Sequence, residues 1–182
     1  MRTLIESTFV TLDGVVSTPE AWGPPYWDDE HASHSWSLLE PAESLLLGRA
    51  TFDGFARAWP QMSGDAYSDK INTMPKHVIS RGTPEAVWNG QLLPGAGADL
   101  VRAVRELKAG DGGPILKFGT GETDRVLLAE GLVDELHLWV FPVLAGSGQR
   151  LADGLPLTHL ALAGSTPLRS GITVLRLTPK QD

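Results

Sequence analysis

Apolar residues recur along the chain in short runs and alternations, and these patterns predict a series of strands. Apolar and β-branched residues dominate positions 3–11, and the Asp13–Gly14 pair that follows them is typical of a turn. The alternation within Glu135–Phe141 predicts a later strand with one apolar face. Further strands are predicted at 44–47, 76–80 and 115–118, with two closing antiparallel strands at 157–163 and 172–177.

A helical period separates several of these strands. Leu100, Val104 and Leu107 share one face at helical spacing, and the glycines at 110–113 end that helix. Other helices are predicted at 28–39, 50–58 and 65–72, and around 126–128 before Gly131. Strands that alternate with helices and lead into a terminal β run predict an α/β fold, with a mixed sheet flanked by helices.

The composition narrows the classes of partner. The chain has 182 residues, 42% of them apolar, and its 15 basic and 22 acidic side chains give a net charge of −7. This acidic balance, without a basic run, disfavours nonspecific binding to nucleic acid or to an anionic membrane. The chain has no run of about 18 consecutive apolar residues, so no transmembrane helix is expected. A chain of this length is most simply one domain, over 1–182. Because it has no cysteine and no secretory leader pattern, we expect it in the cytoplasm.

The segment FGTGETDR at 118–125 carries the strongest local signal. A predicted strand ends in glycines and a helix follows at once, which brings bare backbone and free N–H groups to one place. A pyrophosphate would suit that place. Taken alone, the motif favours a tight turn with Thr120 or Thr123 as the helix cap, because short GxG segments are common. Glu122 also counts against a phosphate.

Two further turns place an arginine directly after a predicted strand. These are Gly48-Arg49-Ala50-Thr51 and Ser80-Arg81-Gly82. A single arginine at a strand end usually reaches into solvent. Two such turns together with a glycine turn form a less ordinary set, because ligands of open α/β sheets collect beyond the carboxyl ends of strands. Arginine can bind phosphate oxygens in a fork, so the set fits a dinucleotide with an extra phosphate, such as NADP.

Five segments, in this order, carry a resemblance to a known family. They are TLDG at 11–14, LLLGRATF at 45–52, KHVISR at 76–81, LKFGTG at 116–121 and GLVDELHLWVFPVLAGSGQRL at 131–151. Through them nearly the whole chain resembles the dihydrofolate-reductase-like superfamily, in the branch related to the reductase domain of bacterial riboflavin biosynthesis. The last segment is the most specific of the five.

The resemblance implies a dihydrofolate-reductase-like mixed, largely parallel sheet with a C-terminal antiparallel portion. It also implies NADPH as the hydride donor and, often, a homodimer. The implied cofactor residues lie at three strand ends: Gly48, Arg49 and Thr51 at the cofactor phosphates, Ser80 and Arg81 at the adenosine ribose and its 2′-phosphate, and Gly119, Thr120 and Gly121 over the pyrophosphate. The turn after Leu47 would then be built for an anion, with Arg49 as its counter-charge.

The substrate side is less defined. Asp13 lies in the TLDG turn of the family and is the candidate catalytic residue, although ordinary Asp-Gly turn chemistry explains it equally well. Acidic residues and two histidines follow at 28–34, where a solvated helix start is the simpler interpretation. His31 and His34 have the spacing of a helical pair without a fixed ligand framework, so no metal is expected. The nearby Trp and Tyr side chains could stack on a flat heterocycle or pack as core.

Two positions depart from the family pattern. The riboflavin-pathway reductases usually have a glutamate directly before their glycine pair, where this chain has Phe118, and Thr120 replaces one glycine. A phenylalanine cannot make the contacts of a carboxylate to a ribityl chain. Two hypotheses therefore remain open. One is an NADPH-dependent reductase of a small heterocyclic or carbonyl/imine substrate, and the other is a non-catalytic ligand-binding or structural member of the same fold.

Overall fold

An eight-stranded sheet forms the centre of the computed structural model, which describes residues 1–83, 88–151, 153–155 and 157–180. Its strands are β1 (Leu4–Thr11), β2 (Ser44–Gly48), β3 (Lys76–Ser80), β4 (Gly90–Pro94), β5 (Ile115–Phe118), β6 (Glu135–Phe141), β7 (Leu160–Pro167) and β8 (Thr173–Pro179). Their spatial order is β4-β3-β2-β5-β1-β6-β8-β7. The strands from β4 to β6 in this order are parallel, while β8 pairs antiparallel with β6 and β7.

Helices cover both faces of the sheet. They are α1 (Pro19–Trp22), α2 (Asp29–Leu39), α3 (Arg49–Ala58), α4 (Ala66–Thr73), α5 (Gly97–Ala109) and α6 (Glu122–Ala129). Alternation along β1 divides the core between them, since successive side chains of a strand point to opposite faces. Leu4 and Val10 pack with apolar residues of α5 and α6, on what we name the α5–α6 face. Ile5 packs with Phe52 and Ile71 on the opposite α2–α4 face.

The predicted fold class is confirmed: the sheet is mixed, mostly parallel, and ends in an antiparallel part. The predicted strands at 76–80, 115–118 and 135–141 have the observed bounds, and the helices predicted from periodicity are present. Helix α3 begins at Arg49, one residue earlier than expected, so this arginine lies in the first turn of a helix rather than in a loop.

Two strands differ from the predictions. Strand β4 was not predicted, because Gly90–Pro94 is short, partly exposed and bounded by Gly and Pro, and so lacks an apolar period. The strand predicted at 157–163 is wrong in its bounds: β7 begins at Leu160 and continues to Pro167. Its second half is exposed and polar, and a register shift between Leu162 and Gly164 breaks the alternation.

Strand β7 is one edge of the sheet, and its Leu162 is exposed. The homodimer that the sequence suggests at this end stays a prediction. Within the described residues, the longest apolar helical stretch is too short to cross a bilayer.

Candidate functional site

A cavity of about 620 Å³ opens beyond the carboxyl ends of β2, β3 and β5. In a parallel sheet these ends meet on one side, where ligands of α/β proteins collect. The cavity brings together all of the residues predicted to bind a cofactor: Gly48, Arg49, Thr51, Ser80, Arg81, Gly119, Thr120 and Gly121. Three turns that are distant in sequence therefore line one space.

The first turn joins β2 to α3 and has a bare backbone. A Cβ added at Gly48 would meet no heavy atom of the described residues within 4 Å, so this backbone borders open volume. Arg49 follows, but its guanidinium is already engaged. Its Nε donates to Asp53 at 2.5 Å and its Nη1 to the Thr83 carbonyl at 2.8 Å. Arg49 thus ties the start of α3 to the segment after β3.

The second turn follows β3 and carries the more available cation. The Arg81 side chain is 73% exposed, and it lies 3.6 Å from the Glu122 carboxylate. The Ser80 hydroxyl is used within the turn, where it donates to the Gly82 carbonyl at 2.6 Å. Gly95 packs closely here, because a Cβ at this position would lie 2.6 Å from the Arg81 backbone nitrogen. Gly95 also lines the cavity, and the sequence analysis missed it together with β4.

The third turn joins β5 to α6 and needs glycine at its first position. Gly119 has φ +72°, a left-handed conformation that glycine adopts without strain, and an added Cβ would come within 3.3 Å of the Thr51 hydroxyl. A Cβ at Gly121 would meet none of the described atoms within 4 Å. The Asp124 carboxylate accepts the Gly121 N–H at 2.6 Å and so caps α6. The expected cap from Thr120 or Thr123 is therefore not the one observed.

A buried ionic network lies directly beneath this third turn. We name Glu6, Thr8, Lys117, Thr120 and Asp124 the buried network. The Lys117 ammonium lies 2.7 Å from Asp124 Oδ1 and donates to the Gly119 carbonyl at 2.5 Å. The Thr120 hydroxyl donates to Glu6 Oε1 at 2.6 Å and lies 2.7 Å from the Thr8 hydroxyl. The network joins β1, β5 and α6 inside the apolar core.

Burial sets the protonation of this network. It raises the pKa of Glu6 to about 8, and the negative charge of Asp124 adds to the shift while Lys117 opposes it. Hydrogen bonding between the Glu6 and Asp124 carboxyl groups also raises the pKa of Glu6, because it requires a proton on one of them. For Lys117, burial disfavours the charge, but Glu6 and Asp124 outweigh it and raise its pKa. Near neutral pH, Lys117 is therefore charged and Glu6 holds a proton.

Sequence reasoning missed this network, although a signal was present. Two of its charged members, Glu6 in β1 and Lys117 in β5, each stand alone among the uncharged residues of a predicted strand. Charged residues are rarely fully buried unless they are paired. Two isolated opposite charges in core strands therefore point to a buried ionic cluster.

Asp13, the candidate catalytic residue, holds a loop together. Its carboxylate accepts hydrogen bonds from the Thr11 hydroxyl at 2.6 Å and from the backbone N–H groups of Ala145 and Gly146 at 3.0 and 2.7 Å. The Thr11 hydrogen bond is the largest of the effects that lower its pKa to about 2. Asp13 is thus ionised near neutral pH and engaged in turn chemistry. The catalytic role predicted for it stays untested, and these contacts give it a structural one.

The histidines and several of the tryptophans lie on the α2–α4 face. His31 and His34 of α2 pack on the Trp139 ring, with centroids 5.1 and 4.9 Å away. Phe9 packs on His31 and on Trp139. Burial lowers the pKa of both histidines. Within the described part of the chain, no group of three His, Cys, Asp or Glu side chains is arranged to hold a metal ion.

Phe118 lies between the cavity and the α2–α4 face. It lines the cavity and packs against Phe55 of α3, with 5.6 Å between the ring centroids. The position where related reductases usually have a glutamate is therefore part of an apolar, aromatic wall.

Comparison with known structures gives the same fold at low sequence identity. A candidate riboflavin biosynthesis protein from Shewanella sp. PV-4 has a TM-score of 0.68 and 20% identity, over 98% of this chain and 99% of that one. A pyrimidine reductase-like protein from Corynebacterium diphtheriae has a TM-score of 0.66 and 16% identity, over 100% and 93%. A bifunctional deaminase and uracil reductase from Thermotoga maritima has a TM-score of 0.65 and 13% identity. It is matched over 98% of this chain but only 57% of its own length.

Sequence comparison agrees with the fold. The protein YyaP of Bacillus subtilis (strain 168), which is described as uncharacterized, is 24% identical over 187 aligned positions, 94% of this chain and 92% of that protein. The family model of the RibD C-terminal domain matches residues 2–174. These matches confirm the resemblance that the five sequence segments indicated. With the glycine and arginine turns gathered at one end of a mostly parallel sheet, the chain belongs to the family of the RibD C-terminal domain.

Proposed function

We propose that the protein is an NADPH-dependent reductase that transfers a hydride to a small heterocyclic or carbonyl/imine substrate. The observation that carries this proposal is the single cavity lined by all three predicted cofactor turns. Membership of the RibD C-terminal domain family, which relates to reductases, supports the same reaction class. The bacterial proteins of similar fold include one described as pyrimidine reductase-like.

The residues present fit a dinucleotide. At Gly48 and Gly121 the bare backbone borders open volume, so a cofactor could approach closer than any side chain would allow. Helices α3 and α6 both begin at the cavity, and helix N-termini favour anions through their free N–H groups and dipoles. The first turn and the glycine turn would hold the cofactor phosphates and pyrophosphate. When bound, NADPH would supply the hydride.

Arg81 is the better candidate for the 2′-phosphate. Both arginines line the cavity, but Arg49 is held by Asp53 and by the Thr83 carbonyl. Arg81 is largely exposed at the cavity, and its partner Glu122 lies 3.6 Å away, beyond ordinary hydrogen-bond distance. An exposed ion pair of this kind contributes little to stability, so a phosphate could replace Glu122 as the partner of Arg81.

The chain's own residues would position the reactants and hold a proton. Hydride transfer depends mainly on orientation, and the protein supplies this through the turns around the cavity. Asp13 is ionised near neutral pH and is unsuited to donate a proton. Glu6 is protonated near neutral pH, and its hydrogen-bond partner Thr120 lines the cavity. The nearest carboxylic proton to the cavity in the buried network therefore lies on Glu6.

Phe118, which lines the cavity and packs against Phe55, bears on the substrate class. Aromatic rings at a cavity edge stack well on flat, weakly polar groups. They offer no hydrogen bond to the hydroxyls of a ribityl chain. We therefore expect a small flat substrate rather than one with a long polar chain.

Cofactor titration tests the proposal. Tryptophan fluorescence or calorimetry should show tighter binding of NADPH than of NADH to the wild-type protein. Arg81→Ala should remove a charge-assisted contact worth roughly 1.5–3 kcal/mol from NADPH alone. Arg49→Ala should instead lower the melting temperature and weaken both cofactors alike. Equal affinity of the wild type for NADPH and NADH would contradict the 2′-phosphate assignment.

Turnover on a substrate panel separates the two hypotheses. Oxidation of NADPH that depends on a flat heterocyclic, carbonyl or imine compound would support the reductase. Tight NADPH binding without turnover on any panel member would identify the non-catalytic alternative. No binding of either cofactor would remove the proposed function.

A further inference from the structure

Lys117 binds the backbone of the glycine turn from inside the core. It lies in β5, two residues before Gly119, and its side chain is 2% exposed. Its ammonium donates to the Gly119 carbonyl at 2.5 Å, so this carbonyl oxygen points inward, away from solvent. The left-handed φ of Gly119 allows this orientation without strain.

Planarity of the peptide bond gives this contact a consequence on the other side. In a trans peptide the C=O and N–H groups point in opposite directions. When Lys117 draws the Gly119 carbonyl into the core, the N–H of Thr120 is directed outward. Thr120 and both flanking glycines line the cavity. The inward contact therefore presents a backbone donor to the place where the glycine turn would meet an anion.

Two carboxyl groups keep the Lys117 ammonium in position. Asp124 pairs with it at 2.7 Å and also accepts the Gly121 N–H, so it fixes both the cation and the far side of the turn. Glu6 lies opposite Lys117 in the register of β1 and β5 and accepts the Thr120 hydroxyl. The ionisable groups that face Glu6 are Lys117 and Asp124. The buried residues of α5 and β6 on this face are apolar except for Lys108, which pairs with Asp134.

We propose that Lys117 is a positioning residue for the cofactor pyrophosphate, which it serves by turning the Thr120 N–H into the cavity while Asp124 and Glu6 hold its ammonium in the core. The inference rests on the proposed function, since it assumes that a dinucleotide occupies the cavity. It adds a residue that binds no ligand itself and acts through one peptide group.

The chain contains a matched control for this test. Lys108 is also buried, donates to the Leu132 carbonyl at 2.6 Å and pairs with Asp134 at 2.6 Å. Asp134, like Asp124, also accepts a backbone N–H, that of Leu4 at 2.7 Å. Lys108 and Asp134 are not among the residues that line the cavity. The pair Lys108→Met with Asp134→Asn thus removes a similar ionic contact away from the turn.

The test compares two double variants by calorimetric titration with NADPH and with NADH. Lys117→Met with Asp124→Asn removes both charges, while the asparagine keeps an acceptor for the Gly121 N–H. We expect NADPH and NADH to bind roughly tenfold to a hundredfold more weakly, because both carry a pyrophosphate. The Lys108→Met, Asp134→Asn control should keep wild-type affinities. Melting temperatures report the structural cost of each change.

The outcomes separate this inference from the proposed function. If the wild type binds neither cofactor, the proposed function fails and the inference fails with it. If the wild type binds and the Lys117 variant binds equally well, the inference alone is overturned. A loss confined to NADPH would also overturn it, because that result points to the 2′-phosphate rather than the pyrophosphate.

A measurement on the wild type keeps the test valid if the Lys117 variant does not fold. The amide of Thr120 can be followed by NMR in uniformly ¹⁵N-labelled protein during titration with NADPH. We expect its resonance to shift and its hydrogen exchange to slow on binding. An unperturbed Thr120 amide under saturating NADPH would overturn the inference.

Discussion

The two faces of the sheet bury polar groups in opposite ways. The α5–α6 face contains the ion pair of Lys117 with Asp124, which is connected through Glu6 to two threonine hydroxyls. Around Trp139, the α2–α4 face contains neutral rings instead. There His31 and His34 pack on Trp139, and the Nε2 atom of each finds no hydrogen-bond partner among the described residues.

The difference follows from what each face adjoins. The buried network lies under the glycine turn of the cavity, where the direction of one peptide group matters, and ionic hydrogen bonds have strict geometry. The α2–α4 face fills space between α2 and the sheet, and aromatic edge-to-face contacts achieve this with less angular demand. In these two regions, charges are buried beneath the cavity and neutral rings are buried where packing is sufficient. The division is not complete, because Lys76 is also buried on the α2–α4 face, where it donates to the Asn72 carbonyl and lies over the Trp88 ring.

The largest expected effect comes from breaking the ionic side of this comparison. Asp124→Ala leaves the Lys117 ammonium buried without its partner and removes the cap of α6. Breaking a buried pair in this way costs about 3–5 kcal/mol of the free energy of unfolding. Urea denaturation followed by circular dichroism measures it.

An exposed ion pair provides the control. Asp99 and Arg102 lie 2.8 Å apart, with side chains 66% and 67% exposed. Asp99→Ala should change the free energy of unfolding by about 1 kcal/mol or less, because exposed pairs are weak. If Asp124→Ala lowers the free energy of unfolding no more than Asp99→Ala does, the buried network does not stabilise the fold.

The same contrast shows what could be predicted from the sequence. Strands such as Glu135–Phe141 and the three turns around the cavity were predictable, because periodicity and glycine placement are local signals. The strand at Gly90–Pro94 was not predicted, because an exposed edge strand lacks an apolar period.

Interactions between distant residues were harder to predict. The sequence left open whether Asp13 is a catalytic residue or a turn residue. The backbone N–H groups of Ala145 and Gly146 that bind it lie more than 130 residues away in the chain. Likewise, the sequence predicted Arg49 as a cation at the site. Its hydrogen bonds to Asp53 and to the Thr83 carbonyl could not be predicted, because they depend on how α3 packs against the segment after β3. Sequence patterns locate candidate groups, whereas the fold decides which of them remain available.

The two faces should respond to pH with opposite signs. Burial lowers the pKa of His31 and His34 below the usual 6.5, so the unfolded chain binds their protons first as pH falls. The free energy of unfolding should therefore fall below pH 6.5. Each histidine contributes at most about 1.4 kcal/mol per pH unit, because each ring binds one proton. Glu6 has a pKa raised from 4.5 to about 8, so its contribution is lost as pH rises across that interval.

Two sets of variants separate these slopes in denaturation measured from pH 5 to 8.5. Glu6→Gln should gain stability relative to the wild type as pH rises from 4.5 towards 8, because the glutamine has no proton to lose. His31→Phe with His34→Phe should gain relative to the wild type as pH falls below 6.5. His77, whose pKa is also lowered, is present in every protein compared and cancels. Parallel pH curves for all three proteins would contradict the assignment.

The smallest expected effect compares two neighbours on β1 that point to opposite faces. On the α2–α4 side, Ser7 accepts the indole N–H of Trp139 at 3.0 Å, and both side chains are buried. Ser7→Ala leaves that N–H without its acceptor, which costs roughly 1–3 kcal/mol.

On the α5–α6 side, Thr8→Val removes the contact to Thr120 but leaves Thr120 bound to Glu6. Losing one hydrogen bond from a still-satisfied network costs roughly 0.5–1.5 kcal/mol. In thermal denaturation, the melting temperature of Ser7→Ala should therefore be lower than that of Thr8→Val. The reverse order would show that the buried network needs every hydroxyl, and that the aromatic face holds Trp139 by packing alone.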